Sequence, residues 1–183
     1  MEIIKKVLTD AFILKPRVFE DDRGYFYESF NNKVFESLTG IKANFIQDNQ
    51  SYSSKGTLRG LHFQKVDAAQ AKLVRVTKGT AYDVAVDLRP DSPTFKQWYG
   101  VELSDENHLQ FFIPRGFAHA FVALEDNTTF QYKVDNHYSS VKDGGIIWND
   151  EELAINWPEL KLELSEKDKK LPKLNQLNIN NLW

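Results

Sequence analysis

From Phe12 to Val134 the chain repeats one pattern, short runs rich in Val, Ile, Phe and Tyr separated by Gly, Asn, Asp and Pro. The runs include 58–64, 71–77, 80–88, 97–103, 109–113, 117–124 and 128–135, a spacing that predicts an all-β sandwich or barrel. Alternation is strictest in 80–88, where Tyr82, Val84, Val86 and Leu88 share one face and Ala81, Asp83, Ala85 and Asp87 the other. Helical signal is confined to short pieces. Asn32 is a candidate cap for a helix over 33–38 with Val34, Phe35 and Leu38 as its apolar stripe, and Ser165 for a turn through Asp168.

Four ionisable residues break the expected polarity of these strands: His62, Lys72, His119 and Tyr132. Alternation puts Lys72 on the face of Val74 and Val76, His119 beside Phe117 and Phe121, and Tyr132 with Phe130 and Val134. Each has an ordinary structural explanation: a hydrogen-bonded core histidine, a core tyrosine whose hydroxyl finds a carbonyl, a lysine snorkelling from a strand end. Burying an unpaired charge costs several kcal/mol, roughly, so four such groups together point to a functional cleft.

At 183 residues the chain is long enough for one domain with a sizeable core, about 12–172, with no linker and a polar, loosely held tail over 175–183 anchored by Trp183. A net charge of −3 gives no basic footprint for nucleic acid, so an anionic ligand must be met by a few placed arginines. There is no cysteine, which removes disulfides and thiolate chemistry. The N-terminus lacks an apolar targeting core and no run approaches membrane-spanning length, so a cytoplasmic location is expected.

Pro114-Arg115-Gly116-Phe117-Ala118-His119 resembles the second conserved block of the cupins, Pro-x-Gly-x-x-His. The first block of metal-binding cupins brings His-x-His, and here His62-Phe63-Gln64 supplies one histidine with Gln64 at the second place. Two histidines fall short of the usual ligand count, so no metal is expected. His108 and His137 fall in turn-like contexts and are read as surface residues.

An imidazole base, an ammonium facing a developing enolate oxygen and a phenol able to return a proton from the other side describe an epimerase acting beside a ketone. Spacing alone leaves other acid–base chemistry open. Arg23 and Arg59 each precede a glycine and suit a diphosphate through bidentate contact. Strict alternation sets Arg59 opposite His62, so a ligand role for it requires a strand end or a bulge.

Many separated blocks, in order, resemble the dTDP-4-dehydrorhamnose 3,5-epimerase family from about Phe12 to Pro172. They are Asp22-Arg23-Gly24-Tyr25-Phe26-Tyr27-Glu28-Ser29-Phe30, Gln47-Asp48-Asn49-Gln50-Ser51, Leu58-Arg59-Gly60-Leu61-His62-Phe63-Gln64, Lys72-Leu73-Val74-Arg75 and the block ending in His119. Tyr132-Lys133, Tyr138, Trp148-Asn149-Asp150 and Leu164-Ser165-Glu166-Lys167-Asp168 follow the same pattern. Ala71 and Ala120 depart from it, standing where the family commonly has Gly.

The resemblance implies a cupin-type double-sheet jelly roll with a few short helices and a homodimer exchanging an N-terminal strand. It implies a dTDP-4-keto-6-deoxy sugar substrate inverted at C3 and C5 without metal or organic cofactor, with His62 as base and Asp168 as its partner. Lys72 and His119 would face the enolate oxygen and Tyr132 would return the proton. Arg23, Gln47 and Arg59 would hold the diphosphate, and Phe26, Glu28, Asn49 and Tyr138 the nucleoside, with Arg23, Phe26 and Glu28 coming from the partner. Rival readings are a single-centre epimerase, a sugar-nucleotide-binding cupin without turnover, and a metal-dependent oxygenase, which Gln64 disfavours.

Overall fold

The computed structural model describes residues 1–179 and Leu182. Its strands are β1 (Glu2–Val7), β2 (Ala11–Lys15), β3 (Phe19–Asp21), β4 (Gly24–Phe26), β5 (Gln47–Ser53), β6 (Leu58–Gln64) and β7 (Lys72–Lys78). They continue with β8 (Thr80–Asp87), β9 (Trp98–Ser104), β10 (Gln110–Ile113), β11 (Phe117–Ala123), β12 (Thr128–Val134) and β13 (Asp143–Gly145). A six-stranded antiparallel sheet in the order β1-β2-β10-β7-β12-β5 packs on a five-stranded one in the order β13-β6-β11-β8-β9, and β3 and β4 form a separate hairpin. This is the expected all-β, cupin-type jelly roll.

Three apolar layers follow from the alternation. Between the sheets lie Ile13, Val74, Val76, Phe111, Ile113 and Phe130 from one side and Ala81, Ala85, Leu103, Phe117 and Phe121 from the other. The larger residues of β8 face away from this layer: Val84, Val86 and Leu88 join Leu61, Phe63, Ala118 and Ala120 on the outer surface of the five-stranded sheet. Ile146, Leu153, Leu174 and Leu182 cover them, with Leu177 and Ile179 packed alongside. The segment expected to be a loose polar tail therefore packs, because Leu174, Leu177, Ile179 and Leu182 supply an apolar side; Trp183 lies outside the described residues. The third layer, Phe12, Leu14, Leu73 and Phe112 with Phe35, seats helix α1 (Asn32–Thr39) on the other outer face.

The cap of α1 falls one residue before the expected Asn32. Asn31 is the residue in extended conformation, and its Oδ1 accepts from the Val34 N–H at 3.2 Å. Of the predicted stripe, Phe35 is buried and Leu38 is exposed. Ser165 does cap its turn, accepting the Asp168 N–H at 3.1 Å before a short 3-10 turn over Asp168–Lys170.

Candidate active site

One end of the space between the sheets is open, a cavity of about 350 Å³. Arg59 and His62 on β6, Lys72 on β7, His119 and Phe121 on β11, Tyr132 on β12 and Asp168 all line it. Period-two geometry delivers most of this set. Lys72 lies on the face of Val74 and Val76, His119 between the inward Phe117 and Phe121, and Tyr132 beyond Phe130.

Arg59 needed one device more. β11 aligns His119 with His62 but Phe121 with Arg59, so two steps on β11 are matched by three on β6. That bulge carries Arg59 onto the face of His62. Gly60 at its centre has φ of +126°, and a Cβ there would lie 2.5 Å from Ala120 Cβ, so no larger residue fits. Arg59 Nε donates to Ser53 Oγ at 3.2 Å and its Nη2 to the Tyr52 carbonyl at 3.2 Å.

The two histidines are each held through Nε2 by a carboxylate, His62 by Asp168 at 2.6 Å and His119 by Asp83 at 2.8 Å. Burial works to raise the Asp168 pKa, but His62, Ser165 and the Gly60 N–H together hold it below the ordinary carboxylate range. An ionised Asp168 accepts the His62 Nε2 proton and leaves Nδ1 as the basic nitrogen of the ring. Burial pushes His119 down against the pull of Asp83, and Lys72 adds to the depression. Burial also brings Lys72 down to about 8, opposed by Asp83 and Asp143. Tyr132 is raised by burial and lowered in part by Arg59, so its phenol stays protonated near neutrality.

The remaining expected residues are not among the lining just named. On β5, register places Asn49 opposite Tyr132 and Gln47 opposite Val134, hence on the cavity face, and Gln47 Nε2 donates to Asn49 Oδ1 at 2.8 Å. Tyr138 is exposed in the loop after β12. Arg23 and Phe26 project on the β3–β4 hairpin, away from this cavity: Phe26 is 71% exposed, and Arg23 pairs with Asp21 of the same hairpin. Glu28 accepts from Asn31 Nδ2 at 3.1 Å.

Three contributors escaped the sequence reading. Asp83 was legible as the acid among Ala81 and Ala85, on the face that turns inward. Lys167 lines the cavity beside Asp168 and bonds Asp143, an arrangement with no sequence signal. Ser51 also lines it, and its buried Oγ has no hydrogen-bond partner among the described residues. No three His, Cys, Asp or Glu side chains among the described residues come together as a metal site, and no helix among them is long and apolar enough to cross a membrane.

A cupin roll in which an oriented imidazole, a buried ammonium and a phenol face one cavity defines an acid–base isomerase. A family model described as dTDP-4-dehydrorhamnose 3,5-epimerase matches residues 5–176, and the chain belongs to that family. The Escherichia coli dTDP-4-dehydrorhamnose 3,5-epimerase is 53% identical over 178 residues, 97% of this chain and 96% of that protein. The crystal structure of the Elizabethkingia anophelis enzyme of the same name is 53% identical, with a TM-score of 0.93 and coverage of 97% and 98% of the two chains. A Legionella pneumophila dTDP-6-deoxy-D-glucose-3,5-epimerase, solved in complex with dTDP-4-keto-L-rhamnose, is 46% identical, with a TM-score of 0.95 and coverage of 99% and 96%.

Proposed function

We propose that the chain inverts C3 and C5 of dTDP-4-dehydro-6-deoxy-D-glucose beside the C4 ketone, giving dTDP-4-dehydro-L-rhamnose for dTDP-L-rhamnose synthesis. The observation that carries this reading is the His62–Asp168 pair, 2.6 Å apart, opening on a cavity shared with Lys72, His119 and Tyr132. His62 removes the proton beside the ketone, and the electron pair moves to the carbonyl oxygen as an enolate. Asp168 stabilises the imidazolium that forms. Lys72 supplies the main cation to the enolate, since donors aimed at developing charge in a water-poor site act most strongly in the transition state. His119 lies on the same wall with its Nε2 committed to Asp83, and burial holds its pKa down, so the neutral ring shapes the oxyanion site and leaves the positive charge to Lys72.

Tyr132 returns a proton to the opposite face of the carbon. Burial keeps the phenol in its acid form, and the phenolate left behind has Lys72 Nζ 5.8 Å from its ring centroid and Arg59 on the same wall. Exchange with solvent then reprotonates Tyr132 and discharges His62. Base, oxyanion partner and acid are all side chains, so the proposed reaction draws on no metal or organic cofactor.

Arg59 and Gln47 hold the diphosphate, and Asn49 and Tyr138 the nucleoside. The exposed β3–β4 hairpin supports a homodimer with N-terminal strand exchange, in which Arg23, Phe26 and Glu28 complete the partner's cavity. The protein acts as one domain in the cytoplasm. The deciding experiment is NMR of the ketosugar nucleotide with purified protein in D₂O. Deuterium at both C3 and C5 is expected; deuterium at one carbon would make this a single-centre epimerase, and none at either would overturn the reading.

A further inference from the structure

Gln64 follows His62 by two residues on β6, at the place where a metal-binding cupin carries its second first-block histidine, and only 5% of it is exposed. Both ends of its carboxamide are engaged. Oε1 accepts the Ser139 N–H at 2.8 Å, and Nε2 donates to Asp143 Oδ1 at 3.1 Å. Asp143 lies directly opposite Gln64 in the β13–β6 pairing, and its second oxygen accepts from Lys167 Nζ. Ser139 adjoins Tyr138, and Lys167 adjoins Asp168 and lines the cavity. Asp143 does most to hold the Lys167 pKa above its ordinary value, with smaller contributions from Tyr138 and Asp168.

Accordingly, we propose that Gln64 is a positioning residue for substrate binding, one buried carboxamide that fixes both the loop carrying Tyr138 and the Asp143–Lys167 pair at the cavity mouth. This rests on the nucleotide-sugar reading above. Asp168 does not depend on Gln64, because His62, Ser165 and the Gly60 N–H already hold it. Lys167 and the Tyr138 loop do depend on it. With 59% of its side chain exposed, Lys167 is directed by its bond to Asp143, and the other Asp143 oxygen accepts from Gln64. A leucine at 64 leaves Asp143 and the Ser139 N–H without these partners, freeing the mouth while the dyad stays in place.

The test is steady-state kinetics with the ketosugar nucleotide, alongside calorimetric affinity for dTDP, on Gln64→Leu, Gln64→Glu and Gln64→Glu combined with Asp143→Asn. Loss of the donor is expected to raise KM and the dTDP Kd by about fivefold or more while kcat stays within about twofold. Gln64→Glu keeps the acceptor for Ser139 but sets two carboxylates against each other, and should be at least as impaired as Gln64→Leu. Adding Asp143→Asn restores the bond with donor and acceptor exchanged, so the double variant should bind more tightly than Gln64→Glu alone, a recovery that a mere filler of space would not show. Unchanged KM and Kd in both single variants, a fall confined to kcat, or a double variant no better than Gln64→Glu would overturn the proposal. If Gln64→Leu fails to fold, the Glu and Glu/Asn variants decide it. A wild-type protein that binds dTDP without turning over the ketosugar would sink the functional reading alone, and the dTDP affinities would still decide the role of Gln64.

Discussion

His62 and His119 stand directly opposite one another on β6 and β11, yet each ring is gripped by a carboxylate from a different part of the chain. Their surroundings differ as well: 32% of the His62 side chain is exposed against 7% for His119. In the proposed reaction the exposed ring would trade its proton with solvent after each turnover, and the enclosed one, beside Lys72 and Asp83, would shape the local field.

Removing the base should therefore be costly. His62→Ala is expected to lower kcat by roughly 10²–10⁴-fold, and Asp168→Asn to lower it by a smaller factor because the imidazole loses its orienting anion. Circular dichroism of both variants should match wild type. A His62→Ala enzyme within threefold of wild type would show that another group is the base.

Asp83 holds up the pKa of Lys72 as well as that of His119. Asp83→Asn removes an anion beside an ammonium, so the charged form of Lys72 is disfavoured and its pKa falls below about 8. The alkaline limb of the kcat profile should move to lower pH, and a pH series on the purified variant reads it directly. A limb that stays in place would separate Lys72 from catalysis.

Tyr132→Phe removes the phenolic proton while keeping the ring. NMR in D₂O should show exchange at C5 impaired more than exchange at C3. Equal loss at both carbons would contradict Tyr132 as the acid for C5.

Lys72 should also cost stability. Its folded pKa, about 8, lies below its unfolded value, so the folded state holds the ammonium less well than water does. That penalty is full below pH 8, shrinks as pH rises, and is gone above the unfolded pKa. Lys72→Met should thus stabilise the fold at pH 7 by about 1–3 kcal/mol while abolishing turnover, and the gain should fade in alkaline melts.

The proposed strand exchange makes a mixing experiment decisive. Arg23→Ala and His62→Ala chains, refolded together, would form some dimers with one site that carries both groups. Random pairing restores roughly a quarter of the sites. No recovery above the separate variants would place Arg23 in the cavity of its own chain.

Alternation exposed Lys72, His119 and Tyr132 because no irregularity falls between each residue and the apolar neighbours on its own strand that set its face. It misjudged Arg59, since a bulge at Gly60 is a property of the β6–β11 pairing and leaves no mark on period-two spacing. Asp168 lies 106 residues from His62, and nothing local in either segment reports their contact; the family resemblance supplied it. Asp83 was visible as an acid in an alternating strand, but its importance depended on which face of β8 turned inward. The covering role of Leu174, Leu177 and Leu182 was hidden by the polar residues between them. Gln64 was read only for the metal ligand it is not.

The C-terminal cover over β8 and β6 has an evolutionary consequence. Val84, Val86 and Leu88 draw their burial from that outer layer, whereas the opposite face of β8 presents Ala81, Asp83, Ala85 and Asp87. Mutations that reshape the cavity leave the outer layer's contribution intact, so the scaffold can diverge toward other sugars without a prior gain in stability. Drift in the C-terminal segment meets the opposite constraint, because Leu174 and Leu182 lie outside the cavity lining yet pack on the strand that carries His62.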